Sequence, residues 1–125
     1  MTKNQVRKYL NACILYHHAK KLDDYRGEKK YSLIIESYEE ILLAEKATIP
    51  NEKHLNNIFD VADDIAFFLV KENTLWVAEK DFDNLFSRLC YEVYAMELDS
   101  DYKYSSVELY NAIKYDQLSR EKDVV

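Results

Sequence analysis

One glycine and one proline in 125 residues set the first limit on what this chain can fold into. Strand-rich folds reverse direction often, and their turns draw on glycine for positive φ and on proline for a preset φ. Gly27 and Pro50 cannot supply those turns, so the chain is expected to be helical throughout. The same scarcity excludes phosphate loops of the GxxxxGK and GxGxxG types and the GxSxG nucleophile turn, all of which need more than one glycine.

Hydrophobic residues make up 48% of the chain and charged residues 32%, a balance that supports one globular domain over residues 1–125 rather than a disordered segment. Apolar positions keep a helical period in five stretches. The first runs from Asn4 to Asp24 with Val6, Leu10, Cys13, Ile14 and His17 on one face, and Gly27 is placed to end it in a left-handed conformation, leaving Tyr25 to Lys30 as a connection. The second runs from Lys30 to Ala47 with Tyr31, Ile34, Ile35, Tyr38, Ile41 and Leu42 in one arc. It breaks at Thr48 to Pro50, and Asn51 is a plausible cap for the next helix. The third, Glu52 to Lys71, carries so wide an apolar arc that it should lie centrally, with Asp60, Asp63, Asp64 and Phe67 on the far side. The fourth holds Phe82, Leu85, Phe86, Leu89, Val93 and Met96 and ends near Leu98. It starts either at Asn73 or Thr74, as one long helix, or at Asp81 after an extended connector through Leu75, Trp76 and Val77. Ser105 and Glu108 have capping-box spacing and open a fifth helix that buries Leu109, Tyr110 and Ile113 and runs to about Arg120, before a frayed tail. The fold expected is an all-α compact bundle of about five helices, with largely antiparallel neighbours.

No apolar run reaches the length of a membrane span. The stretch Met1 to Leu22 lacks the continuous apolar core and small-residue cleavage site of a secretory signal, so a cytoplasmic location is expected. Cys13 and Cys90 fall inside apolar helical patterns and read as buried reduced thiols. Charge is divided unevenly. Residues 1–30 hold eight Lys/Arg against three Asp/Glu, whereas residues 31–125 hold nine against twenty. Most of the surface would therefore repel phosphate. Direct nucleic-acid binding is disfavoured, and a net charge of −6 is modest for a DNA mimic.

Two sets of residues carry candidate function. Glu36 and Glu39 are spaced ExxE, and Asp60 and Asp63 repeat that spacing twenty residues further on. The pattern resembles the all-α nucleotide pyrophosphatases, the MazG and all-α dUTPase group, whose ExxE…ExxD carboxylates hold magnesium. The resemblance implies that Glu36, Glu39, Asp60 and Asp63 would be metal ligands for a nucleotide triphosphate substrate. It covers about a quarter of the chain and departs from the pattern at Asp60, where the family has glutamate. Glu36 and Asp60 also sit on the backs of their helices. The histidines do not add a metal site: His17 and His18 point about 100° apart on a helix, and His54 stands alone.

The second set is compositional. Of eleven tyrosines, Tyr91, Tyr94, Tyr102, Tyr104, Tyr110 and Tyr115 crowd the C-terminal part, interleaved with Glu92, Glu97, Asp99, Asp101, Glu108 and Asp116. Tyrosine gives broad contact area with few rotors to freeze, and neighbouring carboxylates steer a basic partner. This set leads to the first reading, a non-enzymatic acidic protein that occludes a basic protein partner, such as a toxin or a nucleic-acid-processing enzyme. Immunity proteins, antitoxins and phage-encoded inhibitors share that profile of size and charge. The partner-binding residues expected are Tyr94, Asp99, Asp101, Tyr102, Tyr104 and Glu108, centred on the link between the fourth and fifth helices. No metal or cofactor enters this reading.

Overall fold

The computed structural model describes residues 2–44, 52–99 and 101–123. Those residues form five α-helices and no strand: α1 (Lys3–Lys21), α2 (Tyr25–Ala44), α3 (Glu52–Lys71), α4 (Asp83–Leu98) and α5 (Ser106–Asp123), with a short 3-10 turn at Glu79–Asp81. The helices pack into a compact bundle. α1 packs on α2 and α3, and α3 also meets α4 and α5, so α3 is the central helix its wide apolar arc demands. Leu10 and Ile14 of α1, Ile65 and Leu69 of α3, Leu85 and Leu89 of α4, and Leu109 and Ile113 of α5 are sealed from solvent. Each contributes about 1.5–3 kcal/mol of apolar burial.

Side-chain partners fix the directions. Tyr9 reaches Glu39 while Ala19 abuts Gly27, so α1 and α2 run antiparallel. Arg88 pairs with Glu108 and Asn84 with Asp116, which makes α4 and α5 antiparallel. Tyr9 packs against Phe59 and His17 meets Phe67 edge-on, so α1 and α3 run parallel.

The helix ends show how a chain almost without glycine reverses direction. α1 does not run to Asp24, and Gly27 does not terminate it. Asp23 takes the left-handed position, with φ 55°, while its N–H bonds to the Lys20 carbonyl at 3.2 Å and the Asp24 N–H to that of Ala19 at 2.9 Å. This bond pair is the Schellman arrangement, with aspartate where glycine usually stands. Asp24 then caps α2 by accepting from the Gly27 N–H at 3.0 Å. Tyr25 to Lys30 is thus helix, not connection. Gly27 lies buried within it, where a Cβ would come within 3.1 Å of the Ala19 methyl. α3 closes in the same way through Asn73, at φ 59°, with Thr74 bonded back to Leu69 at 2.8 Å. Asn73 therefore ends α3 rather than starting α4.

Residues 74–78 form the extended connector, and α4 begins at Asp83, after the 3-10 turn that buries Asp81. α1 holds this connector. The Asn11 amide donates to the Val77 carbonyl at 3.0 Å and accepts from the Val77 N–H at 2.8 Å, as a neighbouring strand would. Asn11 is buried under the connector and Tyr9 between Glu39 and Phe59, so α1 hides a broader arc than its apolar pattern suggested. Conversely, Ile41 of the expected α2 stripe is half exposed. The break at Thr48 to Pro50 and the Asn51 cap lie outside the described residues. α5 extends to Asp123, past the end expected at Arg120.

Candidate protein-binding surface

α4 and α5 are joined by a polar network built around one buried carboxylate. Glu92 is 0% exposed, one helical turn beyond Arg88, whose Nε lies 2.9 Å from Glu92 Oε1. Tyr102, from the link, donates its hydroxyl to the other carboxylate oxygen, and Arg88 reaches across to Glu108 on α5. The hydrogen bond to Glu92 pushes the Tyr102 phenol up to about 12, because ionising it would set two anions together. Asp116 of α5 accepts from the Asn84 N–H at 3.0 Å, which satisfies a donor in the first turn of α4 that Phe82 leaves uncapped.

Beside this network the outward faces carry large apolar and aromatic side chains. On α4 Tyr91, Tyr94 and Leu98 are 58%, 58% and 70% exposed; on α5 Val107, Tyr115 and Leu118 are 54%, 64% and 57% exposed. The positions follow from helical phase. Tyr91 and Tyr94 flank Val93 and Glu92, which point in, and Tyr115 lies two residues past the sealed Ile113. Between the helices runs an open groove of about 460 Å³, lined by Asn84, Ser87, Arg88, Tyr91, Ala112 and Tyr115. The Arg88 guanidinium sits 5.2 Å from the centre of the Tyr91 ring, which holds that ring at the groove wall.

The expected binding residues divide. Tyr94, Asp99 and Asp101 are exposed, and Asp99 orders the link by accepting from the Asp101 N–H at 3.0 Å. Tyr102, Tyr104 and Glu108 each have a partner within the fold, and Glu108 remains exposed. Tyr102 ties to Glu92, and Glu108 to Arg88. Tyr104 donates to Asp64 on α3, and its phenol is pushed well above its usual range by burial and then by that carboxylate. Tyr91 and Tyr115 take the prominence expected of Tyr102 and Tyr104. Subtracting the core positions 85, 89, 93, 109 and 113 from the two helices was the signal that could have found them.

The four carboxylates of the magnesium pattern do not converge. Glu36 and Asp60 are exposed, as their place on the helix backs required. Glu39 accepts from the Tyr9 hydroxyl at 2.7 Å, and Asp63 meets His17 Nε2 at 2.8 Å; each is turned to α1 rather than to the other. Among the described residues no three His, Cys, Asp or Glu side chains are grouped to hold a metal ion. The Cys13 thiol is sealed in the core beside this pair. Burial, followed by the charge of Asp63, raises it far from the reactive range. Cys90 is free and half-buried, and burial raises its thiol as well.

No protein-family model, curated protein or solved structure matches this chain. The functional reading therefore rests on its own surface. That surface has a second sign: Lys20 and Lys21 at the end of α1 and Lys71 at the end of α3 are all exposed, far in character from the acidic C-terminal half. No described helix is long and apolar enough to cross a membrane.

Proposed function

We propose that this protein acts by binding a basic protein partner through the outer faces of α4 and α5, and that it occludes the partner's functional surface. The observation that carries the proposal is the simultaneous exposure of Tyr91, Tyr94 and Tyr115 with Leu98, Val107 and Leu118 on two adjacent helices. Isolated apolar residues on a surface need no explanation, whereas a set of six on paired helices is the kind of patch that interfaces use. Tyrosines supply its anchors and a groove between them can receive a side chain.

Charge chooses the partner. Residues 83–118 contain seven Asp/Glu and three Lys/Arg. Of the three, Arg88 is spent on Glu92 and Glu108. The carboxylates of Asp99 and Asp101 at the end of α4 add a field that draws in a cationic surface and speeds its docking. An inhibitor of a nucleic-acid-processing enzyme or toxin fits this chemistry, since such partners carry basic faces.

The test is affinity capture from a lysate of the source cells at low and high salt, with wild type and a Tyr91→Ser, Tyr115→Ser double variant. A basic protein held by wild type, released by salt and missing with the variant supports the proposal. The same proteins retained by both, or salt-insensitive capture, contradict it.

A further inference from the structure

A second groove, of about 470 Å³, lies between α1 and α3 at the opposite end of the charge distribution. Its walls are His17, Phe67 and Val70, and its rim is Lys20, Lys21 and Lys71. Phe67 stands out because it is 49% exposed on the central helix of the bundle, where the neighbouring Ala66, Leu69 and Val70 are buried. Its ring is nonetheless fixed. The Lys71 ammonium lies 4.4 Å from the ring centre, and the His17 imidazole meets the ring edge-on at 5.5 Å while Asp63 holds His17 from its other side at 2.8 Å. None of the three lysines forms an ion pair with another described residue. The Asp63 carboxylate is engaged by His17.

We propose that this groove binds a small aromatic anion, an aromatic ring system bearing a carboxylate, sulfonate or phosphate. The ring would lie against Phe67 and the His17 edge, and the anionic group would sit among Lys20, Lys21 and Lys71. Several features select this class of ligand. The volume matches the range of small-molecule pockets, and apolar walls with a few convergent charged groups are their usual chemistry. Aromatic side chains held by preformed contacts lose little entropy when a flat ring joins them. A polynucleotide is disfavoured, because a strand needs a run of stacking aromatics and would extend beyond three lysines into a chain region where twenty Asp/Glu face nine Lys/Arg. The site is separate from the α4–α5 surface and does not depend on the function proposed for it.

The probe is anilinonaphthalene sulfonate, titrated by fluorescence and mapped by amide chemical shifts, with the uncharged phenylnaphthylamine as the matched control. Saturable one-to-one binding is expected, with shifts concentrated at residues 17–21 and 67–71 and about tenfold weaker binding of the uncharged compound. Phe67→Ser and Lys71→Gln should each weaken binding about tenfold, and the pair Lys20→Gln, Lys21→Gln by a similar factor. Lys29→Gln should leave it unchanged. All these side chains but Phe67 are charged and at the surface, so the lysine variants report even if Phe67→Ser disturbs folding. Lack of saturable binding, equal affinity for the uncharged compound, shifts centred on 84–91 and 112–115, or indifference to the lysine variants would each overturn the proposal.

Discussion

Replacing Asn11 by leucine should cost the fold far more than a side chain of similar volume suggests. Asn11 makes two hydrogen bonds to the Val77 backbone, 3.0 Å to the carbonyl and 2.8 Å from the N–H, and both residues are buried. In Asn11→Leu the Val77 carbonyl keeps Arg7, whose Nη1 lies at 3.3 Å, but the N–H is left without a partner and out of reach of water. An orphaned buried donor costs about 1–3 kcal/mol, and loss of the second bond adds up to about 1 kcal/mol, for a total near 2.5 kcal/mol. An unfolding entropy of about 2.1 cal/mol/K per residue over 125 residues gives roughly 0.26 kcal/mol/K, so the loss lowers Tm by about 10 °C. Thermal melts by circular dichroism measure this, and amide exchange at Val77 localises it. A drop below about 3 °C with Val77 still protected would refute the reasoning. Asn11→Asp adds a signed check. Burial and the facing carbonyl favour the protonated form of the introduced carboxyl, which can donate to Val77 as the amide does. The variant should therefore recover stability as pH falls toward about 4, through the raised folded-state pKa of that carboxyl, and gain nothing further below it, where the unfolded carboxyl is protonated as well.

Asp23→Gly should raise stability by about 0.5 kcal/mol, because glycine adopts the left-handed conformation at φ 55° without the cost an L side chain bears; denaturant unfolding reads it, and a loss of stability would contradict it. Burial and Glu39 raise the Tyr9 phenol, so stability from its neutral form is present below pH about 10 and lost as pH rises beyond. Tyr9→Phe should accordingly be about 1 kcal/mol less stable at neutral pH yet decline less steeply in alkali, and parallel pH profiles would refute this. Tyr102→Phe removes the hydroxyl that Glu92 accepts from, and should lower Tm while leaving partner affinity within about twofold. Loss of partner binding with the fold intact would return Tyr102 to the binding surface.

Features that depend on short-range pattern were readable from the sequence. The wide apolar arc expected over Glu52 to Lys71 matches α3, and the core of α4 emerged from Leu85, Leu89 and Val93 because hydrophobic phase is a local property. Local pattern misleads where a residue does an unusual job. Gly27 looked like the helix terminator because glycine bears positive φ most easily, whereas Asp23 and Asn73 carry it and Gly27 serves close packing. The connector at 74–78 was one of two alternatives, and what decides it is Asn11, sixty-six residues from Val77 in sequence. The candidate surface split for the same reason. Tyr102 and Tyr104 occupy a link that local rules place outside, but their hydroxyls are engaged by Glu92, which is buried, and by Asp64 on the surface of α3, ten and forty residues away. Composition showed that aromatic and acidic groups gather in the C-terminal half, but not which of them the fold would use for itself.

The most direct test puts a photo-crosslinking benzoylphenylalanine at Tyr91, at Tyr115 and, as a control, at Tyr25, which is 76% exposed at the start of α2. After irradiation in the source cells, the first two positions should trap the same basic protein, and Tyr25 should not. Equal crosslinking from Tyr25, or none from Tyr91 and Tyr115, would contradict an α4–α5 binding face.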